Sequence, residues 1–326
     1  MNQTITPHTS LGQACRDFVA HKRALGRKYA TEENVLNILN RHLAHHGVED
    51  VRDITPELLE AFLAGQTRTQ PRSYNHRLGV VRRFFDWVVS QELLPRSPLN
   101  IRPRHPAVQR PRFLFDPPQI RRLLQLAADL PDNAKARGRG QTYHMIFVLL
   151  YGLGLRVGEV SRLLRSDLDL DRQLLIIRET KFSKSRLVPF GPRLTGQLKE
   201  YLGRCEQRRG PLGPDSPLFS FRRGQPIATN SIGQTFHQLL TPLGLEAPAG
   251  VSAPCVHCLR HCFAVHTLLH WYRAGIDPGR RLLHLSTFLG HVDPMSTAVY
   301  LTITADLLRE AGRRFEHFAT GAWKEG

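Results

Sequence analysis

The stretch Leu289-Gly290-His291-Val292-Asp293-Pro294-Met295-Ser296-Thr297-Ala298-Val299-Tyr300 sets an imidazole nine residues ahead of a phenol. Gly290 permits a tight turn before His291, and Ser296 or Thr297 can cap a short helix that carries Tyr300. A tyrosine near a helix start, with a histidine on the preceding turn, is a candidate nucleophile beside a proton-handling group. Most tyrosines at helical spacing are half-buried packing residues, so a reason to prefer chemistry has to come from elsewhere in the chain.

Three other segments offer it. In His257-Cys258-Leu259-Arg260-His261, His257 and Arg260 are three apart and share one helix face. One imidazole and one guanidinium projecting together suit a phosphate: one handles a proton, the other neutralises charge. In Gly152-Leu153-Gly154-Leu155-Arg156-Val157-Gly158-Glu159, Arg156 stands at a Gly-rich break between two apolar helices. Glu159, one turn on, can pair with Arg156 and fix its guanidinium; the plainer alternative is a helix-start ion pair of little weight. Thr180-Lys181-Phe182-Ser183-Lys184-Ser185-Arg186 lies between two apolar runs and reads as a basic β-hairpin tip. Such a tip can enter a groove and set a lysine at a phosphate, with Lys184 and Arg186 as further contacts to a nucleic-acid backbone, or simply be solvated.

Cys255, Cys258 and Cys262, with His257, His261 and His266, crowd twelve residues and admit a metal cluster or a redox Cys-x-x-Cys pair. A zinc site usually draws ligand pairs from two separated segments, and a second pair is absent here. Thiols three and four apart on a helix behave more often as small core residues. The reading is therefore no metal and no cofactor.

Arg156, Lys181, His257-x-x-Arg260, His291 in Leu-Gly-His, and Tyr300 nine residues later occur in that order over about 145 residues. The pattern resembles the tyrosine recombinase (phage integrase) family, and the helical region before it is similar to that family's core-binding (SAM-like) domain. His270 to Ser286 is similar to the longer version found in recombinases of transposons and other bacterial mobile elements. The resemblance implies a mechanism. Tyr300 would attack a phosphodiester and form a 3′-phosphotyrosine link; Arg156 and Arg260 would clamp the phosphoryl oxygens; Lys181 would protonate the leaving 5′-oxygen. His257 would help take the tyrosine proton, His291 would hydrogen-bond the phosphate, and Glu159 would support the site. It also implies a mainly α fold with a small antiparallel sheet, two domains forming a C-shaped clamp on double-stranded DNA, inverted-repeat sites, and a homotetramer on synapsed DNA with accessory proteins as further partners. Two alternatives stand beside it: a type IB topoisomerase-like enzyme, and a non-catalytic architectural DNA-binding protein.

The elements that must position these groups are mostly helical. Leu11 to Leu25, Thr31 to Leu43, a helix capped by Thr55-Pro56-Glu57, and Ser73 to Leu93 all show helical apolar spacing. Arg72, Arg77, Arg82 and Arg83 lie along the last of these, either as a solvated basic face or as a face laid on DNA phosphates. Residues 1–104 read as the helical domain, 105–112 as a Pro/Arg-rich linker, and 113–326 as the catalytic domain. In the latter, Asp116-Pro117-Pro118 caps a helix, Tyr143 to Leu150 is a core helix, and Leu174–Ile177 and Leu187–Phe190 are strands. After Thr304, an apolar stripe of Leu307, Leu308, Ala311, Phe315 and Phe318 must pack on its own domain or on a neighbouring protomer.

Composition agrees with a polyanion partner. The formal net charge is +17, both halves are basic, and Arg greatly outnumbers Lys, which suits bidentate phosphate contacts. Five cysteines in a chain of 326 residues do not read as a disulfide framework. No apolar run of about 18 residues or longer occurs, and the first residues lack a signal peptide's features. The expected setting is a bacterial cytoplasm, at the nucleoid, with no membrane contact.

Overall fold

The computed structural model describes residues 10–65, 70–105, 110–178, 185–222, 224–291, 293, 295–302, 309 and 312. The chain divides into two compact units, Met1–Gln109 and Arg110–Gly326. Among the described residues no helix is long and apolar enough to cross a membrane.

Among the described residues the first unit holds four α-helices: α1 (Leu11–Ala24), α2 (Ala30–His45), α3 (Pro56–Ala64) and α4 (Pro71–Ser90). Their starts follow local chemistry. The Ser10 hydroxyl accepts from the Gln13 amide, and the Thr55 hydroxyl from the Leu58 amide, with Pro56 at the first helical position. α2 lacks a side-chain cap and begins after Tyr29 in a left-handed conformation; Glu32 and Glu33 in its first turn suit the helix dipole instead. The apolar face of α4 (Leu78, Val81, Phe84, Phe85, Val88) is buried against α1 and α2, with Phe18 edge-on to Phe84 at 5.6 Å. This helix starts two residues before the expected Ser73 and stops before Leu93. Glu92, at φ 59°, reverses the chain, and Leu93 packs on the core from outside the helix.

The second unit begins with α5 (Pro117–Ala128), whose Asp116 and Gln119 form a reciprocal capping box. α6 (Arg139–Gly152) packs against it and is longer than the expected Tyr143–Leu150, its polar first turn extending the apolar stretch. α7 (Val157–Ser161) follows, then the strands β1 (Leu168–Asp169), β2 (Leu174–Ile177) and β3 (Arg186–Pro189). These form an antiparallel sheet in the order β1-β2-β3, with Leu175 opposite both Leu168 and Val188. The two-residue β1 is too short to carry a periodic signal, which is why only two strands are readable from sequence. Among the described residues α8 (Pro192–Arg209), α9 (Thr229–Leu243), α10 (Val256–Arg273), α11 (Pro278–Leu289) and α12 (Met295–Ala298) follow, then a 3₁₀ turn at Val299–Thr302.

The core of this unit joins α5, α6, α8, α9, the sheet and the first turns of α10 through Phe115, Phe147, Phe219, Phe236, Leu259 and their neighbours. Val265, Leu268, Leu285, Leu289 and Tyr300 form a smaller cluster where α10, α11 and the 3₁₀ turn meet. The candidate chemistry lies at the edge of this second cluster. Lys181, Lys184 and the apolar stripe Leu307 to Phe318 fall outside the described residues.

Candidate active site

Arg156 sits at the N-cap of α7 in extended conformation, so its side chain and amide both turn back toward Glu159. The Arg156 amide donates to Glu159 Oε2 at 2.9 Å, its Nη1 to Oε1 at 2.8 Å, and its Nη2 to the Gly290 carbonyl at 2.9 Å. Glu159 is only 5% exposed and takes a second guanidinium as well. Arg186 donates to both carboxylate oxygens at 2.9 Å and through Nε to the Phe288 carbonyl at 2.8 Å. Burial alone would push the Glu159 carboxyl up; the contacts of Arg186 and Arg156 outweigh it and bring it down to about 2.

Arg186 therefore departs from its expected place among DNA contacts on the hairpin. Its side chain is 9% exposed and ties β3 to α7 and α11. The physical reason is Glu159: a buried carboxylate needs more donors than Arg156 can give, and a planar guanidinium matches both its oxygens at once.

Arg260, on the first turns of α10, is 1% exposed. It donates from Nη1 to the Gly154 carbonyl at 2.6 Å and from Nη2 to the Leu289 carbonyl at 2.7 Å, while Nε has no partner. Leu289 is the last residue of α11, so that carbonyl also carries the negative end of a helix dipole. Desolvation, then the nearby charge of Arg156, lowers the Arg260 guanidinium to about 10. Both glycines serve this framework. Gly154 has φ +59°, and a Cβ there would run into the Phe263 ring; Gly290 has φ +67° and ends α11 as a left-handed cap.

The imidazoles and the phenol complete the cluster. His291 Nδ1 lies 2.6 Å from Thr297 Oγ1, and its ring stacks on Tyr300 at 6.3 Å between centroids. Tyr300 is 4% exposed, and burial raises its phenol, with Arg260 and Arg156 pulling the other way. Its hydroxyl is 3.0 Å from Nδ1 of His261. His291 is held down to about 4 by desolvation and then by Arg260 and Arg156. His257 is also brought to about 4, by desolvation and then by Arg260, Arg112 and Arg156. Its side chain still meets solvent.

Arg156, Glu159, His257, Arg260, His291 and Tyr300 are thus drawn into one electropositive site. Three guanidinium groups (Arg156, Arg186 and Arg260) lie within reach of one another's charge there; Arg156 and Arg186 are paired to Glu159, and Arg260 is held by backbone carbonyls. Such a surplus of fixed positive charge favours an anion, and the phenol of Tyr300 lies beside it. Two members escaped sequence reasoning: Arg186 in its inward role, and His261. His261 was visible only as part of the Cys/His cluster; a contact 39 residues away in sequence leaves no local signal.

The cysteines of that cluster are packed. Cys258 and Cys262 are buried, Cys262 Sγ accepts from the Phe115 amide at 3.2 Å, and the Cys255 and Cys258 sulfurs are 3.6 Å apart. Among the described residues no group of three His, Cys, Asp or Glu side chains is arranged to hold a metal ion.

Arg72, Arg82 and Arg83 are exposed on α4 and Arg77 is half-exposed. Arg82 donates to the Ile101 carbonyl at 2.8 Å and Arg83 to the Tyr29 hydroxyl at 3.4 Å.

Solved structures place this fold among integrases. The Tn1549 transposon integrase, solved in complex with transposon right end DNA, matches with a TM-score of 0.65 at 17% identity, over 95% of this chain and 100% of that one. A lambda integrase dimer bound to a core site matches with a TM-score of 0.63 at 18% identity, over 90% of this chain and 77% of that one. Sequence narrows the class. The phage integrase family matches residues 114–306. The integrase/recombinase-type protein y4rB of Sinorhizobium fredii (strain NBRC 101917 / NGR234) is 36% identical, over 93% of this chain and 96% of its own length. The tyrosine recombinase XerC of Bacillus pumilus (strain SAFR-032) is 30% identical over 81% of each chain. The chain belongs to the phage integrase family and is a tyrosine recombinase.

Proposed function

We propose that this chain is a site-specific recombinase that cuts and rejoins double-stranded DNA through a 3′-phosphotyrosine link, and that it integrates, excises or transposes a mobile element. The observation that carries the reading is the cluster of Arg156, Arg186 and Arg260, the first two paired to the buried carboxylate of Glu159, beside the phenol of Tyr300. A phosphodiester seated there would meet Arg156 and Arg260. Arg260 keeps its Nε–H, and each terminal nitrogen of both arginines keeps a second hydrogen beyond the bonds already made. These donors neutralise charge on the non-bridging oxygens as Tyr300 attacks. His291, held through Nδ1 by Thr297, has Nε2 free to reach the phosphate. Lys181 supplies the proton for the leaving 5′-oxygen. The covalent link conserves the bond energy, so rejoining needs no nucleotide.

The same reading assigns 1–104 as a core-binding domain, 105–112 as a linker and 113–326 as the catalytic domain. It takes the exposed arginines of α4 and Lys184 as contacts to the DNA backbone. It takes the working unit as four protomers on two inverted-repeat sites; a lambda integrase tetramer bound to a Holliday junction is among the structures of like fold. The test is a two-plasmid exchange assay using the DNA that flanks the coding sequence. Recombinant product that depends on both copies of the site supports the reading. Relaxation of supercoils by dilute protein with no exchange would assign a topoisomerase-like activity instead, and binding without any cleavage an architectural role.

A further inference from the structure

The geometry points to His261, and not His257, as the residue that takes the proton from Tyr300. This rests on the reading of Tyr300 as the nucleophile. The Tyr300 hydroxyl is 3.0 Å from His261 Nδ1, a hydrogen bond between the attacking atom and an imidazole. The rings lie 5.4 Å apart, and the imidazole is carried on α10, a helix buried along one side, rather than on a loop. His257 is one turn earlier on the same helix, with its ring edge-to-face on His261 at 4.6 Å and its side chain turned to solvent. It therefore shields His261, while His261 touches the phenol.

The polarity of the hydrogen bond follows from its surroundings. Arg260 presses on the phenol oxygen electrostatically and is a donor only. The oxygen's lone pairs are drawn to that cation, which leaves the phenolic hydrogen for Nδ1. His261 then carries its own hydrogen on Nε2, a buried atom with no partner in the free protein.

Charged and titratable groups face this imidazole from several elements: His257 and Arg260 on α10, Arg112 before α5, His291 after α11, and Tyr300 on the 3₁₀ turn. After desolvation, the histidines and arginines among them hold His261 to about 3 in the free protein, so it rests neutral and ready to accept. A phosphodiester on the same arginines cancels much of that positive field and raises the basicity of His261 when it is needed.

The step balances. As the bond from Tyr300 Oη to phosphorus forms and the bond from phosphorus to the 5′-oxygen breaks, the phenolic proton passes to His261 Nδ1. The 5′-oxygen takes its proton from the site's acid, assigned above to Lys181. In rejoining, the 5′-hydroxyl attacks, its proton returns to that acid, and His261 gives its proton back to the departing phenoxide.

The experiment measures single-turnover covalent capture by the full chain on nicked suicide duplexes tiled across the DNA flanking its coding sequence. Parent, His261→Ala and His261→Asn are compared, each with Tyr300 as tyrosine or as 2,3-difluorotyrosine, whose phenol is more acidic. His261→Ala is expected to bind the duplex like the parent and to be captured roughly 100-fold more slowly or worse. His261→Asn keeps a polar atom near the place of Nδ1 yet cannot take a proton, and it stays slow. Difluorotyrosine restores most of the rate to both variants and changes the parent little, and it moves the pH at which the variants gain activity downward. Capture by His261→Ala within threefold of the parent overturns the assignment. So does an equal loss in both tyrosine backgrounds, which marks a purely structural role. If His261→Ala does not fold, His261→Asn decides by the same two comparisons. If the parent itself forms no covalent complex on any of these duplexes, the recombinase reading falls, and this assignment with it.

Discussion

Glu159 is the residue on which the site's cations depend. It accepts from Arg156 and Arg186 at once, at 5% exposure, and its carboxyl lies near 2 against an ordinary 4.5. A difference of that size corresponds to roughly 3 kcal/mol of stability at neutral pH. Because the folded value is depressed, that contribution is complete above about pH 4.5 and is lost as pH falls toward 2. The histidines act earlier in the same direction. His257 and His291, near 4, and His261, near 3, stay neutral in the fold while the unfolded chain takes up protons below 6.5. Urea midpoints measured from pH 7.5 to 2.5 are therefore expected to fall steadily below about pH 6.5. Glu159→Gln should remove the lower part of that fall and destabilise the protein by about 3 kcal/mol, since two guanidinium groups then share a neutral amide. An unchanged midpoint for Glu159→Gln would mean that the pairing contributes little.

The residues with fixed spacing were legible at this scale: Arg156 with Glu159, His257 with Arg260, and His291 with Tyr300. Helical periodicity or a short turn links each pair. Arg186 and His261 were not, because their partners come from elements 27 and 39 residues away. An arginine at a hairpin looks like a surface charge until the buried carboxylate opposite it is seen.

At the scale of elements, three backbone carbonyls at two chain breaks hold the arginines. Gly154 lies between α6 and α7, Gly290 closes α11, and the end of α11 presents the Leu289 carbonyl; each gives a backbone oxygen to Arg260 or Arg156. Gly154→Ala tests this directly. The substitution meets both a positive φ and the Phe263 ring, so it should cost about 1–3 kcal/mol of stability. Gly203→Ala, in α8 with open space at its Cβ, serves as the control and should be neutral or slightly stabilising. In conditions where Gly154→Ala remains folded, DNA cleavage should still fall by at least about tenfold, because the carbonyl that seats Arg260 moves. Equal cleavage by the folded variant and the parent would show that Arg260 does not need that seat. The helices were legible because caps and apolar periodicity coincide, as at Asp116 and Gln119 or Thr55 and Pro56. Their ends were less so: α4 stops at a positive-φ residue, Glu92, that no composition rule marks.

For the whole molecule, the formal net charge of +17 makes a quantitative demand. If the arginines of the first unit and the site of the second both meet phosphates, log affinity for duplex DNA should fall linearly with log salt. For six to ten contacts the loss between 50 and 200 mM is roughly a thousandfold or more. Arg72→Ala and Arg77→Ala should each lower the slope by about one without changing the preference among DNA sequences. A flat salt dependence would remove the α4 arginines from the interface. Charge and composition disclosed the class of partner.

The central claim is that Tyr300 is the group that becomes joined to DNA. Its most direct measurement is mass spectrometry of the peptide that stays attached to a suicide duplex after nuclease and protease digestion, run beside Tyr300→Phe. The account predicts a nucleotide adduct on Tyr300 at the 3′-phosphate, and for Tyr300→Phe no adduct at unchanged DNA affinity. An adduct on any other residue, or covalent capture that persists in Tyr300→Phe, would contradict it.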